Sequence, residues 1–167
     1  LAGSGNSGST DGTGTGALFD GPRGITTDGT NLYVVDTDNH IIRKIVISTG
    51  VVTTIAGTGN SGFADSTTGT LAKFNKPYGI TSDGTNLYVT DDKNHKVRKI
   101  VIATGAVSTF AGSTSGFANG TGTAAKFSNP KGITTDGTNL YVADRTNNRI
   151  RKIVIATGVA TTLAGSG

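Results

Sequence analysis

His40 and His95 are the only side chains in this sequence whose ordinary charge change falls near neutral pH. Serine or cysteine hydrolysis needs such an imidazole beside a nucleophile and oriented by a carboxylate. Cysteine is absent, which excludes thiol nucleophiles, disulfides and cysteine metal sites. The two histidines share one position of an internal repeat, and the third copy has Asn148 there. A position where an amide can replace the imidazole reads as a loop hydrogen-bonding residue. Two widely separated histidines also do not make a zinc site. We expect no catalytic residue, no metal ligand and no cofactor.

Other oxygen-bearing positions read as structural. Asp11, Asp65 and Asn119 share a position among Gly, Ser and Thr. Such donors suit Ca²⁺, but no loop has the dense Asp alternation of an EF-hand, so they read as loop-turn caps. Asp36, Asp91 and Asp144 close one strand in each copy and read as carboxylates bonding the following loop. GSGNSG at Gly3 and GTGNSG at Gly57 fit G-x-G-x-x-G, but no helix follows, as dinucleotide binding requires. Asn119-Gly120-Thr121 is a formal glycosylation sequon. The basic residues gather in a third strand as Arg43 and Lys44, then Lys96, Arg98 and Lys99, then Arg149, Arg151 and Lys152. Aromatic platforms are few, with four Tyr and six Phe in the chain. This row therefore reads as packed stems with solvated heads, and nucleic acid is not the expected partner.

The elements holding these residues follow from repetition. The chain has 167 residues, a net charge of +4, 26 Gly, no Glu and no Gln. Poor helix formers and abundant Thr, Val and Ile point to strands joined by turns. No apolar run approaches the roughly 20 residues of a membrane span. Near-identical units begin at Pro22, Pro77 and Pro130, and residues 24–57 and 79–112 match at 24 of 34 positions. Each unit predicts four short strands, which in the first copy are 25–27, 32–35, 41–47 and 51–55. Asp28-Gly29, Asp83-Gly84 and Asp136-Gly137 fit the first turn, with Gly at positive φ. Short links predict an antiparallel meander, and meanders repeating without helices predict an all-β propeller of four-stranded blades. The chain is expected to be one unit over 1–167. Its blades lie near 22–57, 77–112 and 130–165, separated by long loops 1–21, 58–76 and 113–129. Phe19, Phe74 and Phe127 are expected to plug the loops, helped by Phe63 and Phe117; Ser9 leaves the first loop looser. Tyr33, Tyr88 and Tyr141 are expected in the core.

The motif P-x-G-I followed by NLYVVD and NHIIRKI resembles the NHL repeat, over Asn31 to Ile45, Asn86 to Ile100 and Asn139 to Ile153. The longer loop-bearing form resembles NHL repeats of secreted bacterial and teneurin-like extracellular proteins. The resemblance implies the propeller fold. It spans protein-binding, RNA-binding, lyase and extracellular functions, so function must be argued from sites.

Three blades cover half of a six-bladed ring, and open blade faces are apolar. We expect a homodimer giving six blades, with a homotrimer giving nine as the lesser alternative. The LAGSG segments at 1–5 and 163–167 would then adjoin across the junctions. The expected function is a non-catalytic binding or assembly module for a protein or glycan, in an extracellular or periplasmic setting. The alternatives are a lyase- or lactonase-like enzyme with a channel metal, and an RNA-binding domain. Strand parity puts the variable loops and the residue after each Pro on one end of the blades. Arg23, Tyr78 and Lys131 are expected to ring the channel mouth, with Lys93, Lys96, Arg145 and Arg149 alongside, as a site for an acidic or hydroxylated ligand.

Overall fold

Alternating β-branched and polar residues give each unit four paired strands in the computed structural model, which describes residues 1–166. Gly167, part of the expected juxtaposition of the chain ends, lies outside them. Gly12–Thr13 is β1. The first blade holds Pro22–Thr27 (β2), Asn31–Asp36 (β3), Ile41–Val46 (β4) and Val51–Ala56 (β5). The second holds Pro77–Ser82 (β6), Asn86–Asp91 (β7), Lys96–Val101 (β8) and Val107–Ala111 (β9). Gly120–Thr121 is β10. The third blade holds Pro130–Thr135 (β11), Asn139–Asp144 (β12), Arg149–Val154 (β13) and Val159–Ala164 (β14). Within each blade the four strands pair antiparallel in sequence order.

The long loops are more structured than expected. β1 pairs on the outer edge of β5 and β10 on that of β14, and Ser66 bridges Val107 at the same place in the middle blade. Each loop thus adds an outermost rung to the blade that follows it. Two-residue Gly-Thr strands carry no alternation, so sequence periodicity cannot announce them.

The inner strands β2, β6 and β11 stand side by side. Between Pro22 and Ile25 the register with β3 shifts by a bulge, repeated at Pro77 and Pro130. A bulge re-aims side chains, here at the residues after each Pro. The adjacent glycine sets the spacing of the blades. A Cβ on Gly24 would lie 2.7 Å from the Tyr78 carbonyl oxygen, and one on Gly79 would lie 2.4 Å from that of Lys131. Only a residue without Cβ lets the inner strands approach this closely. At the turn between the first two strands, Gly29, Gly84 and Gly137 have φ of 89°, 88° and 88°, as expected.

The core lies between blades. Tyr33, Val35, Ile42 and Ala56 pack on Phe74, Ile80, Leu87 and Val89 of the next blade. Tyr88, Val97 and Ala111 pack on Phe127, Leu140, Val142 and Ile153. Phe74 and Phe127 are buried plugs, whereas Phe19 is half-buried. Tyr141 departs from the core expectation. It is only half-buried, because its face of the third blade has no following blade to cover it.

Candidate functional site

The fourfold pairing of each blade brings a buried arginine to the centre of its own loop. Arg43, Arg98 and Arg151 are fully buried, heads included, so the expected solvated heads are corrected for these three. Arg43 Nη1 donates to Asp36 Oδ2 at 2.9 Å and to the Leu18 carbonyl at 2.7 Å. Its Nη2 donates to Asp11 Oδ1 and to the Thr10 carbonyl, both at 2.9 Å. Phe19 lies over the guanidinium at 4.8 Å. Arg98 repeats this with Asp91 and Asp65, and Arg151 with Asp144 and Asn119. Each buried guanidinium has both Nη groups bonded to acceptors on the loop and the strand end, and only its Nε lacks a partner among the described residues, so these groups fasten the loops.

The strand-end carboxylates therefore do more than bond the following loop. Asp36 accepts from Asn39 in that loop, from Arg43, and from the Asp20 backbone N–H in the preceding one. Burial pushes the Asp36 and Asp91 carboxyls up, against the pull of these hydrogen bonds. Asp11 Oδ2 also accepts from the Thr54 N–H, so its role is to join loop to blade edge. The sequence held a signal for this cluster: an Asp and an Arg seven residues apart in every unit, with Asp or Asn in every loop.

The histidines are loop hydrogen-bonding groups, and they span blades. His40 Nδ1 accepts from the Lys76 backbone N–H at 3.0 Å, and His95 Nδ1 from that of Asn129 at 3.1 Å. Burial lowers the pKa of both imidazoles. Among the described residues no three His, Asp or other ligating acidic side chains converge on one point.

At the end of the blades carrying the variable loops lies a cavity of about 490 Å³. The bulges deliver Arg23, Tyr78 and Lys131 to it, and the loops after the second strands add Lys93 and Arg145. The Tyr78 ring lies between two cations, with the Arg23 guanidinium carbon 5.1 Å and Lys131 Nζ 4.1 Å from its centroid. Lys131 Nζ pairs with Asp92 Oδ2 and Lys76 Nζ with Asp38 Oδ1, each at 2.7 Å. The Lys76 hydrogen bond holds the Asp38 carboxyl below its usual range. Arg23, Lys93 and Arg145 make no ion pair among the described residues. Five cations and two carboxylates line the cavity, so its field is positive and focused by the walls.

Lys96 and Arg149 do not join this cavity. Lys96 Nζ donates to the Ser113 carbonyl at 2.6 Å and sits 4.6 Å from the Phe63 ring centroid. Arg149 stacks 3.7 Å from the Phe117 centroid and donates to the Ser166 carbonyl at 2.6 Å. Both begin the third strand of their blade, and the loop phenylalanines draw their heads away from the cavity. Lys96 is partly desolvated there, which lowers its pKa.

No family model matches the chain. It is 38% identical over 107 residues to NHL repeat-containing protein 2 of Bos taurus, a match covering 62% of this chain and 15% of that protein. It is 30% identical over 177 residues to Protein SUPPRESSOR OF QUENCHING 1, chloroplastic, of Arabidopsis thaliana, covering 99% of this chain and 17% of that one. The chain thus spans about a sixth of the curated relatives it matches. Among solved structures, an auxiliary nutrient binding protein from Bacteroides thetaiotaomicron superposes with a TM-score of 0.69 at 26% identity, covering 84% of this chain and 37% of that one. Sequence repeat, blade topology and these relatives agree: the chain belongs to the NHL-repeat β-propeller family.

Proposed function

We propose that this chain is a non-catalytic binding and assembly module whose channel-mouth cavity takes an acidic glycan. The observation that carries the reading is the cavity itself, which gathers three cations without ion-pair partners, Arg23, Lys93 and Arg145, with Arg23 and the paired Lys131 at the Tyr78 ring. Cations select the carboxylate or sulfate groups that such a glycan carries. Similarity to a nutrient-binding propeller supports a ligand-binding role and an extracellular or periplasmic setting.

The assembly half of the proposal is that a second copy closes the ring at six blades. The face of the first blade that would meet a preceding blade exposes Ile25, and the far face of the third exposes Ile150 and Ala164. These are repeats of two surfaces that already mate with each other twice inside the chain. Gly132 occupies the position of Gly24 and Gly79, yet a Cβ on it would meet nothing nearer than the Ala143 methyl at 3.8 Å. Its close approach is made only when another inner strand arrives.

Two measurements test the halves separately. Titration with an oligogalacturonate should give saturable binding that a neutral oligosaccharide of equal length lacks. The triple variant Arg23→Ala, Tyr78→Ala, Lys131→Ala should lose at least tenfold in affinity; unchanged affinity overturns the site. Light scattering should give the mass of two chains for the wild type and of one for Gly132→Ala, with unaltered secondary structure. A wild-type monomer at all concentrations overturns ring closure.

A further inference from the structure

We infer that closing the ring builds an oxyanion site at each new junction, from Arg145 of one copy and Arg23 of the other. The inference rests on the ring-closure reading above. Its basis is what stands at equivalent positions of the two internal junctions. Between the second and third blades, Lys131, the residue after the inner-strand Pro, pairs with Asp92, the first residue of the loop after the second strand, at 2.7 Å. Between the first and second blades these two positions are Tyr78 and Thr37. There the ion pair moves to the adjoining residues Asp38 and Lys76, again at 2.7 Å. Both internal junctions therefore place one carboxylate against one ammonium.

The closing junction has no such pair. The first two positions become Arg145 and Arg23, and the adjoining ones become Thr146 and Gly21. Two guanidinium groups arrive where Asp92 and Lys131 touch. The carboxylates nearby are already engaged: Asp144, next to Arg145 in sequence, pairs with Arg151, and Asp38, which lies beside Gly21 and feels the charge of Arg23, pairs with Lys76.

Both sides already hold the conformation of a mated junction. His40 and His95 have φ of 58° and 57°, and Asn148 has 52°. Lys76 and Asn129, whose backbone N–H groups donate to those imidazoles, have φ of 51°, and Gly21 has 56°. An Asn148 side-chain oxygen can thus accept from the Gly21 N–H as the imidazoles accept within the chain, which fixes the register and brings Arg145 to Arg23. Both arginines are exposed in the single chain and free of ion pairs among the described residues. Two planar forks converging from opposite sides suit a tetrahedral divalent oxyanion, which can take two hydrogen bonds from each. Such an anion binds the ring and not the open half, so it must tighten assembly by mass action.

Sedimentation equilibrium in inorganic phosphate and in chloride at equal ionic strength tests this. The dimer dissociation constant should fall on the order of tenfold in phosphate, within the usual span of linked binding. Arg145→Asp restores the Asp92-type pairing and should dimerise tightly in chloride with no response to phosphate; Arg23→Asp makes the same test from the other side. A dimer equally tight in both salts overturns the oxyanion site alone and leaves Asp38 as the counter-charge. Monomers under every condition overturn ring closure and the site with it.

Discussion

Ile42 and Ile150 are the same residue of the same repeat, yet one is 0% exposed and the other 42%. Ile80 and Ile25 are likewise equivalent, at 5% and 59%. The strand and its pairing register are shared, whereas the adjoining blade is present for one of each pair and absent for the other. A blade forms its own hydrogen-bond ladder but buries its faces only against another blade, as expected when each repeat is one unit that cannot complete a core alone. The arginine clusters teach the opposite lesson. Arg43 lies on the unmated side of the first blade and Arg98 on a mated side, and both are fully buried. Each is enclosed by its own blade's loop, so this part of the structure is indifferent to neighbours.

The largest expected effect tests that indifference. Arg98→Met strands the Asp91 carboxylate in a site of 0% exposure and should cost about 3–5 kcal/mol in urea unfolding. Arg43→Met should cost as much, since Asp36 is equally buried. A much smaller loss at Arg43 would show that the loop needs the adjoining blade to keep its arginine dry.

The next effect tests the junctions. Ile42→Ala removes atoms from a filled core and should cost about 2–5 kcal/mol. Ile150→Ala, measured where the chain is a single copy, should stay within about 0.5 kcal/mol. Equal losses at the two positions would mean that the third blade's far face is covered in solution.

The smallest effect is a pH dependence confined to the internal junctions. His40 faces Lys76 and Asp38; His95 faces Asp92, Lys93, Lys96 and Asp144. Both imidazoles have folded pKa values below 6.5, so the unfolded chain takes up their protons first. Their contribution is complete above pH 6.5 and is lost as the pH falls through the folded values. Thermal unfolding should weaken across that window in the wild type, and the His40→Asn, His95→Asn variant, copying Asn148, should lose that part of the slope.

Much of the fold was legible because it is written locally and three times over. Alternating Leu32, Val34 and Tyr33, Val35 fix a strand and its two faces. Asp28 fixes the turn by accepting from Thr30, Asn31 and Tyr33, which holds its carboxyl far below the usual range and, with burial, pushes Tyr33 up to about 12. Strand parity grouped the residues after each Pro on one end of the blades, and Arg23, Tyr78 and Lys131 do line one cavity, since parity is topological. Lys96 and Arg149 could not be placed this way, because a long cation follows whichever aromatic face lies nearest, and Phe63 and Phe117 come from a loop more than 30 residues earlier.

What the sequence by itself determined is the unit: four strands, their turns, and the end of the blade on which variation gathers. Those depend on residue type and spacing of two to four positions. The tertiary structure decided which groups are dry. Arg43 is buried because Asp11, Leu18 and Asp36 converge on it from three separate segments, while Ile150 is open because no blade stands beside it. Desolvation is a property of everything within a few ångströms of an atom, whatever its distance along the chain, so identical repeats bury differently.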